Sequence, residues 1–259
     1  MGVVVSCTNS KGGVGKTTLN ASLAFRLSEL YPDKKVLILD QEVPSSASDY
    51  IYPDYKISGN KGLDLYTSYI DDFDSYKTSS GIYMLVTGGD FNIIDALGFN
   101  SIFYFKENID RLKKEFDYII IDTPPTLTKR LEMAVASADL VFTPIKPSAL
   151  CYKGFSGFLE KYTLIRQRLN PSLPAFPYLF FNLLNTNSRN QPSYVQAFED
   201  SFNNPDFVIK PVLKIYDHIE ECVKSNLPVW KFKKTQSYVK KDVLELLSNM
   251  IDIIEKHNA

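Results

Sequence analysis

The chain has 259 residues, of which 44% are hydrophobic and 23% are charged, so it is long enough to bury the core of one large α/β domain. Its formal net charge of -1 excludes a generally basic surface, so any nucleic-acid binding must come from a local cationic patch.

No signal peptide is visible in the first residues of the sequence, and no uninterrupted apolar stretch reaches the roughly 20 residues that cross a bilayer. Cys7, Cys151 and Cys222 are widely separated and form no C-x-x-C pair, as is typical of a reduced compartment. We therefore expect a soluble, cytoplasmic protein with no membrane partner.

In chain order, the apolar run at 3–7 predicts a first strand, and leucines at helical spacing from Leu19 to Leu30 predict the helix that follows. Two further apolar runs, at 35–40 and 118–122, are typical of parallel strands buried on both faces, and each ends in an aspartate. Carboxylates at the carboxyl ends of such strands are what a nucleotide site at the edge of the sheet requires.

Further strands are predicted at 82–86, 140–144 and 178–181, and further helices at about 105–116, 130–137 and 152–169. The alternation of strand and helix predicts an α/β fold with right-handed crossovers. We expect a doubly wound, mostly parallel sheet of about seven or eight strands flanked by helices, in a single domain that spans 1–259.

The segment 41–80 differs in composition because it combines many aspartates with six tyrosines. These are Tyr50, Tyr52, Tyr55, Tyr66, Tyr69 and Tyr76. A partly helical surface excursion is the favoured interpretation, and a surface for binding cargo or a partner is the alternative.

Between the first strand and the first helix lies the run Lys-Gly-Gly-Val-Gly-Lys-Thr-Thr, the pattern of a phosphate-binding loop in its required context. Its glycines let backbone NH groups turn inward, and the start of the helix adds a positive dipole end. Lys16 is predicted to reach the β- and γ-phosphates, and the Thr17 hydroxyl to ligate Mg²⁺. The other predicted nucleotide-binding residues of the loop are Lys11, Gly12, Gly13, Val14, Gly15 and Thr18.

Lys11, directly before the first two glycines, and the lead-in Asn9-Ser10 distinguish this loop from the general pattern. The run resembles the deviant Walker A loop of the ParA/MinD group of P-loop ATPases. The resemblance covers nearly the whole chain and is strongest at 3–44, 117–150 and 213–229. It implies ATP and Mg²⁺ as cofactors, and an ATP-dependent homodimer in which Lys11 reaches the partner's nucleotide.

The resemblance extends to the two strand-end aspartates. Asp122, followed by Thr-Pro-Pro, resembles the Walker B aspartate, which orients Mg²⁺ through its bound water. Asp40 resembles the first aspartate of the family's switch segment, near the metal and the γ-phosphate. Where the family continues Asp-Pro-Gln, this chain has Glu42-Val43-Pro44. Glutamate can still orient the attacking water, so slow hydrolysis is expected, with a non-hydrolysing nucleotide-gated scaffold as the alternative.

Residues late in the chain are implied to form the adenine pocket. Asn182 resembles the asparagine that contacts adenine in this family, and a turn or capping role is an equal alternative. The segment from Leu213 to Val229 resembles the family's C-terminal motif, in which Leu213 and Lys214 would adjoin adenine and Lys214 replaces a proline.

The layout resembles the Soj-type and shorter plasmid ParA proteins, and because the chain begins close to the loop we expect no N-terminal helix-turn-helix domain. The resemblance implies an ATP-bound dimer that binds DNA nonspecifically at the nucleoid, and a ParB-type partner that stimulates hydrolysis. Positioning of another intracellular cargo is the alternative. A solvated face is the alternative interpretation of the predicted DNA-binding cluster. That cluster consists of Lys231, Lys233, Lys234, Lys240, Lys241 and Arg189.

Two other relatives of this loop type predict different functions. A MinD-like membrane role requires a basic amphipathic C-terminal helix, whereas the amphipathic tail at 243–256 has mainly acidic polar positions, so we expect it to dock on the domain. A nitrogenase iron-protein-like carrier requires two cluster-binding cysteines per subunit, and the cysteines of this chain do not match their positions.

Overall fold

The computed structural model describes residues 1–42, 46–53, 61–71, 73, 75–86, 91–202 and 204–258. Within these residues the strands are β1 (Val3–Cys7), β2 (Val36–Asp40), β3 (Tyr76–Lys77), β4 (Ile82–Val86), β5 (Tyr118–Asp122), β6 (Leu140–Ile145), β7 (Tyr178–Phe181) and β8 (Val208–Ile209). They form one sheet in the order β3-β4-β2-β5-β1-β6-β7-β8, parallel except for the antiparallel edge strand β3. The expected mostly parallel sheet of about seven or eight strands is confirmed, with eight strands among the described residues.

The central strands are apolar throughout because helices cover both faces of the sheet. In β1, Val4 packs into the core of one face, whereas Val3 and Val5 pack into the core of the other. The helices in chain order are α1 (Lys16–Leu30), α2 (Ser46–Ile51), α3 (Lys61–Thr67), α4 (Phe91–Ala96), α5 (Asn100–Leu112), α6 (Lys129–Ser137), α7 (Ala149–Arg168), α8 (Gln191–Ser201), α9 (Ile219–Lys224) and α10 (Ser237–Asn258). Helices α3 to α8 contribute to the first core, and α1, α2, α9 and α10 to the second.

The register of the sheet explains why two distant aspartates meet. Asp122 at the end of β5 lies opposite Asp40 of β2 on one side and opposite Cys7 of β1 on the other. All three strands are parallel, so their carboxyl ends share the edge from which the phosphate-binding loop departs.

The predicted strands are confirmed to within a residue at their ends, whereas the helix ends are less accurate. The helix predicted at 105–116 is α5, which begins at Asn100 and ends at Leu112. Helix α7 begins at Ala149, before the predicted start at 152, because the Ser148 side chain accepts a hydrogen bond from Cys151 N at 3.3 Å and caps it.

The surface-excursion interpretation of 41–80 is wrong for two of its tyrosines. Tyr50 on α2 and Tyr66 on α3 are fully buried, the first against Phe25 and the second stacked on Phe105. Tyr55 lies outside the described residues. The short helices of this segment are therefore part of the core.

The C-terminal helix α10 docks on the domain as predicted. Its buried stripe packs into the same core as α1, and the Tyr118 hydroxyl of β5 donates to Glu255 Oε1 at 2.7 Å. Among the described residues, no helix combines the length and the apolar character that crossing a membrane demands.

Candidate nucleotide-binding site

The loop at 8–15 connects β1 to α1 in a conformation that demands glycine. Gly13 has φ 67° and Gly15 has φ 92°, both in the left-handed region that L side chains rarely adopt. A Cβ atom at Gly15 would also overlap Asn182 Nδ2. The backbone thus reverses tightly just before Lys16, the first residue of α1.

Two asparagines, one within the loop and one after β7, hold the loop in place. Asn9 Nδ2 donates to Pro144 O at 2.7 Å at the end of β6, and Asn9 Oδ1 accepts from Lys11 N at 3.1 Å. Asn182, directly after β7, donates from Nδ2 to Val14 O at 2.8 Å and accepts at Oδ1 from Leu183 N at 2.9 Å. The loop is therefore fixed to the ends of two strands, and Asn182 has the turn role that was one of its two interpretations. Its contact with adenine stays a prediction.

The two lysines of the loop differ in burial. Lys16 is 5% exposed, and its Nζ donates to Lys11 O at 3.2 Å, across the loop that precedes it. Burial lowers the pKa of Lys16, opposed by the negative charge of Asp122 and Glu42. Lys11 is half-buried, and its side chain extends toward α7. Gly12 and Gly13 are exposed at the tip, whereas Thr18 is half-buried in the first turn of α1.

Three oxygen-bearing side chains converge at the start of α1. Thr17 Oγ1 donates to Asp122 Oδ2 at 2.9 Å and lies 3.3 Å from Glu42 Oε2. The other Asp122 oxygen accepts from Asn20 Nδ2 at 2.5 Å. A hydroxyl with carboxylate oxygens is the donor set that Mg²⁺ prefers. Within the described ranges no cluster of three His, Cys, Asp or Glu could hold a metal alone, so a Mg²⁺ ion here would need further ligands from phosphate and water.

Asp40 is directed at protein donors rather than into the cleft. Its Oδ1 accepts from Glu42 N at 3.0 Å, and its Oδ2 accepts from Ser48 N at 2.9 Å and from the Ser48 hydroxyl at 2.8 Å. Burial raises the pKa of both Asp40 and Asp122, and the charge of Asp40 raises that of Asp122 further. Two buried carboxylates on adjacent strands thus favour a nearby cation.

The backbone that carries Glu42 is held from two sides. Gln41 N donates to Asp122 O at 3.1 Å, and Arg130 Nη1 of α6 donates to Gln41 O at 2.9 Å. Val43 and Pro44, the rest of the departure from the family's Asp-Pro-Gln, lie outside the described residues.

An open cleft of about 300 Å³ lies over the loop. It is lined by Gly13, Gly15, Lys16, Thr17, Thr18, Glu42, Tyr50, Pro125 and Val223. Tyr50, Val223 and Asn20 were not predicted as site residues, and Pro125 was identified only as part of the Thr-Pro-Pro that follows Asp122. The signal for Asn20 was a polar residue in the apolar stripe of α1, one turn after Thr17.

The predicted adenine residues lie beside the end of β7. Leu213 is buried, and its N donates to Phe181 O at 2.9 Å, while Lys214 pairs with Leu184 in an isolated parallel bridge. The structure therefore brings Leu213 and Lys214 next to Asn182, although the Lys214 side chain is exposed.

Two of the six predicted DNA-binding cations lie in ion pairs, and DNA binding by this cluster stays a prediction. Lys231 Nζ lies 2.5 Å from Glu29 Oε1, and Lys234 Nζ lies 3.1 Å from Glu221 Oε2. Lys233 and Lys241 are exposed, Lys240 is half-buried, and Arg189 is exposed in the loop between β7 and α8. Two of the lysines thus have a carboxylate beside them, which reduces the local positive potential.

Comparison with known proteins identifies the family of this chain. Residues 2–175 match the family AAA_31, described as an AAA domain. The sporulation initiation inhibitor protein Soj of Bacillus subtilis is 26% identical over 180 residues, which cover 67% of this chain and 70% of Soj. The chromosome partitioning protein ParA of Myxococcus xanthus is 28% identical over 184 residues, which cover 67% of this chain and 62% of that protein.

A solved structure extends the likeness to the whole fold. A plasmid partition protein from Borrelia burgdorferi, bound to AMPPNP, superposes with a TM-score of 0.75 at 20% identity and with 99% of each chain covered. That likeness establishes the fold alone. The family match spans more than half of the chain, so the protein belongs to the AAA_31 family and, with these relatives, to the ParA/MinD group of P-loop ATPases.

Proposed function

We propose that the chain is a ParA-type ATPase that binds ATP and Mg²⁺, dimerises with ATP, and binds DNA without sequence preference. In this proposal it drives plasmid or chromosome segregation in the cytoplasm, at the nucleoid, with a ParB-type partner that stimulates hydrolysis. The whole segment 1–259 acts as one domain.

The observation that carries the proposal is the position of the Thr17 hydroxyl. It lies 2.9 Å from Asp122 Oδ2 and 3.3 Å from Glu42 Oε2, directly beside a loop that two left-handed glycines shape. Packing alone does not require a hydroxyl and two carboxylates from three separate elements to meet there. A site for a nucleoside triphosphate and its metal uses a hydroxyl and carboxylates in such an arrangement.

The loop and its lysine would hold the phosphates. Backbone NH groups from Gly12 to Thr18 and the N-terminus of α1 attract anionic oxygens, and Lys16 adds a positive charge at the same point. When bound, Mg²⁺ supplies further charge neutralisation on the phosphate oxygens. Thr17 would be its direct protein ligand, and Asp122 would accept hydrogen bonds from its water.

In this proposal Glu42 orients the attacking water. Its backbone N donates to Asp40 at 3.0 Å, so the carboxylate is carried on a fixed main chain. Because phosphoryl transfer depends on positioning and charge neutralisation, a glutamate can serve, although a shift of about 1 Å can cost a hundredfold in rate. Slow turnover that a partner stimulates is the expected kinetics.

A second function, a nucleotide switch that positions another cargo with very slow or no hydrolysis, is favoured by two observations. Glu42 Oε2 accepts a hydrogen bond from the Thr17 hydroxyl at 3.3 Å, so in this conformation the carboxylate is engaged by a protein donor. Lys231 and Lys234 both form ion pairs with carboxylates, so they offer less positive potential for binding DNA.

One pair of measurements separates the two functions. ATP turnover is measured with and without nonspecific DNA, and mobility shift with that DNA is measured under ATP, ADP and no nucleotide. Salt-sensitive DNA binding with ATP and turnover above background support the segregation ATPase. No binding in any state and no turnover contradict it. Lys16→Ala should abolish turnover, whereas Lys256→Ala, an exposed lysine at the end of α10, is the matched control.

A further inference from the structure

Helix α7 contains two glycines three residues apart, and they differ in what surrounds them. A Cβ atom at Gly154 would overlap Lys11 Cε and would lie 3.2 Å from Lys11 Cγ and 3.3 Å from its Cδ. A Cβ atom at Gly157 would meet no atom within 4 Å. Glycine inside a helix costs about 1 kcal/mol relative to alanine, so a close neighbour at Gly154 gives a reason for its presence there.

The neighbour at Gly154 is the aliphatic stem of Lys11. Three consecutive carbons of that side chain, Cγ, Cδ and Cε, surround the space that a Cβ atom at position 154 would occupy. The preceding residue is held at the same place because Ser10 Oγ donates to Gly154 O at 3.3 Å. Lys11 N is meanwhile held by Asn9 Oδ1 at 3.1 Å. Both the main chain and the stem of the lysine are therefore fixed against the body of the domain.

We propose that Gly154 is a positioning residue for Lys11. The missing side chain leaves space on α7 for the aliphatic part of the lysine and so fixes its direction. Only the terminal ammonium group must then be ordered when the dimer forms. This inference rests on the proposed ATP-dependent dimer, in which Lys11 reaches the partner's nucleotide.

The physical reason is conformational entropy. A lysine that must be ordered on binding loses rotamer freedom at a cost that opposes association. A stem that already lies on its own subunit has lost most of that freedom before the dimer forms. Both subunits of a symmetric dimer gain this advantage, so the effect on association counts twice.

Gly154→Ala and Gly157→Ala form a matched pair, because they sit on one helix and bring the same gain in helix propensity. Only the first displaces Lys11, whose flexible end can move aside, so both variants should fold. Gly154→Ala should raise the dissociation constant of the ATP-bound dimer about tenfold or more, while the affinity of the monomer for ATP stays unchanged. Gly157→Ala should dimerise like the parent protein. Equal dimerisation of the two variants, or stronger dimerisation with Gly154→Ala, would overturn the proposal.

A thermal-unfolding cycle tests this packing independently of dimerisation. In the parent protein without nucleotide, Gly154→Ala should raise the melting temperature less than Gly157→Ala does, because the new methyl group at position 154 displaces the Lys11 side chain. In a Lys11→Ala background, the two substitutions should raise it equally. If the two variants still differ in melting temperature in the Lys11→Ala background, the proposed packing of Lys11 on Gly154 is wrong. If the cycle behaves as expected but no variant, nor the parent, dimerises with ATP, the proposed function fails while the Lys11 contact stands.

Discussion

Asp122→Asn should stabilise the protein in the absence of nucleotide and metal. Asp122 is fully buried, burial raises its pKa, and the charge of Asp40 on the neighbouring strand raises it further. A group whose pKa is higher in the folded than in the unfolded protein contributes stability that is present at low pH and lost as the pH rises through the folded value. An amide does not titrate, so the free energy of unfolding of the variant does not fall with pH for this reason.

The hydrogen bonds around Asp122 allow the exchange. One carboxylate oxygen accepts from the Thr17 hydroxyl and the other from Asn20 Nδ2, while Asn20 Oδ1 is buried and has no partner among the described residues. If the Asn20 amide turns over, its oxygen can accept from the new amide, so the number of hydrogen bonds is kept. Removing the unfavourable titration of this buried carboxyl then gains about 2 kcal/mol at neutral pH, or roughly 4–8 °C in melting temperature for a chain of this size.

The assay is thermal unfolding in a chelating buffer from pH 5 to pH 9. The variant's advantage should grow with pH and shrink toward pH 5, and Mg²⁺ with ATP should stabilise the parent protein but not the variant. Asp139→Asn is the control of opposite sign, because Asp139 already has an ion pair with Lys113 at 2.9 Å. An Asp122→Asn variant that melts below the parent at pH 8, or an advantage independent of pH, would refute the reasoning.

Lys11→Ala should bind ATP as a monomer but fail to dimerise, measured by nucleotide titration and light scattering; normal dimerisation would contradict a role across the interface. Asn182→Ala removes the hydrogen bond to Val14 O, which should destabilise the loop by about 1 kcal/mol and raise the KM for ATP several-fold, checked by steady-state kinetics. An unchanged KM would show that the loop does not depend on that anchor. Lys233→Glu with Lys241→Glu should abolish ATP-dependent DNA binding in a mobility shift while turnover without DNA stays unchanged; retained binding would remove this surface as the DNA contact.

The central strands could be predicted because their environment is simple. In β2 and β5, helices cover both faces, so nearly every residue is apolar and each run ends at its aspartate. The short helices α2 and α3 could not be predicted in the same way. Their buried tyrosines look like surface residues in sequence, because their burial depends on Phe25 and Phe105 from distant helices.

In the candidate site too, residues that belong to a local sequence pattern could be predicted, whereas those that depend on long-range packing could not. Residues that act through a local pattern, such as Gly15 and Lys16 in the loop, can be identified from spacing. The contacts of Asn20 with Asp122 and of Gly154 with Lys11 join segments more than 100 residues apart, and they depend on the packing of whole elements. No local pattern in one sequence contains that information.

The central claim is a nucleotide-controlled dimer, and its mass in solution tests it most directly. Light scattering on the purified protein with Mg²⁺ and ATP, with Mg²⁺ and ADP, and without nucleotide should give a dimer only with ATP. The same mass under all three conditions, whether monomer or dimer, would contradict the account.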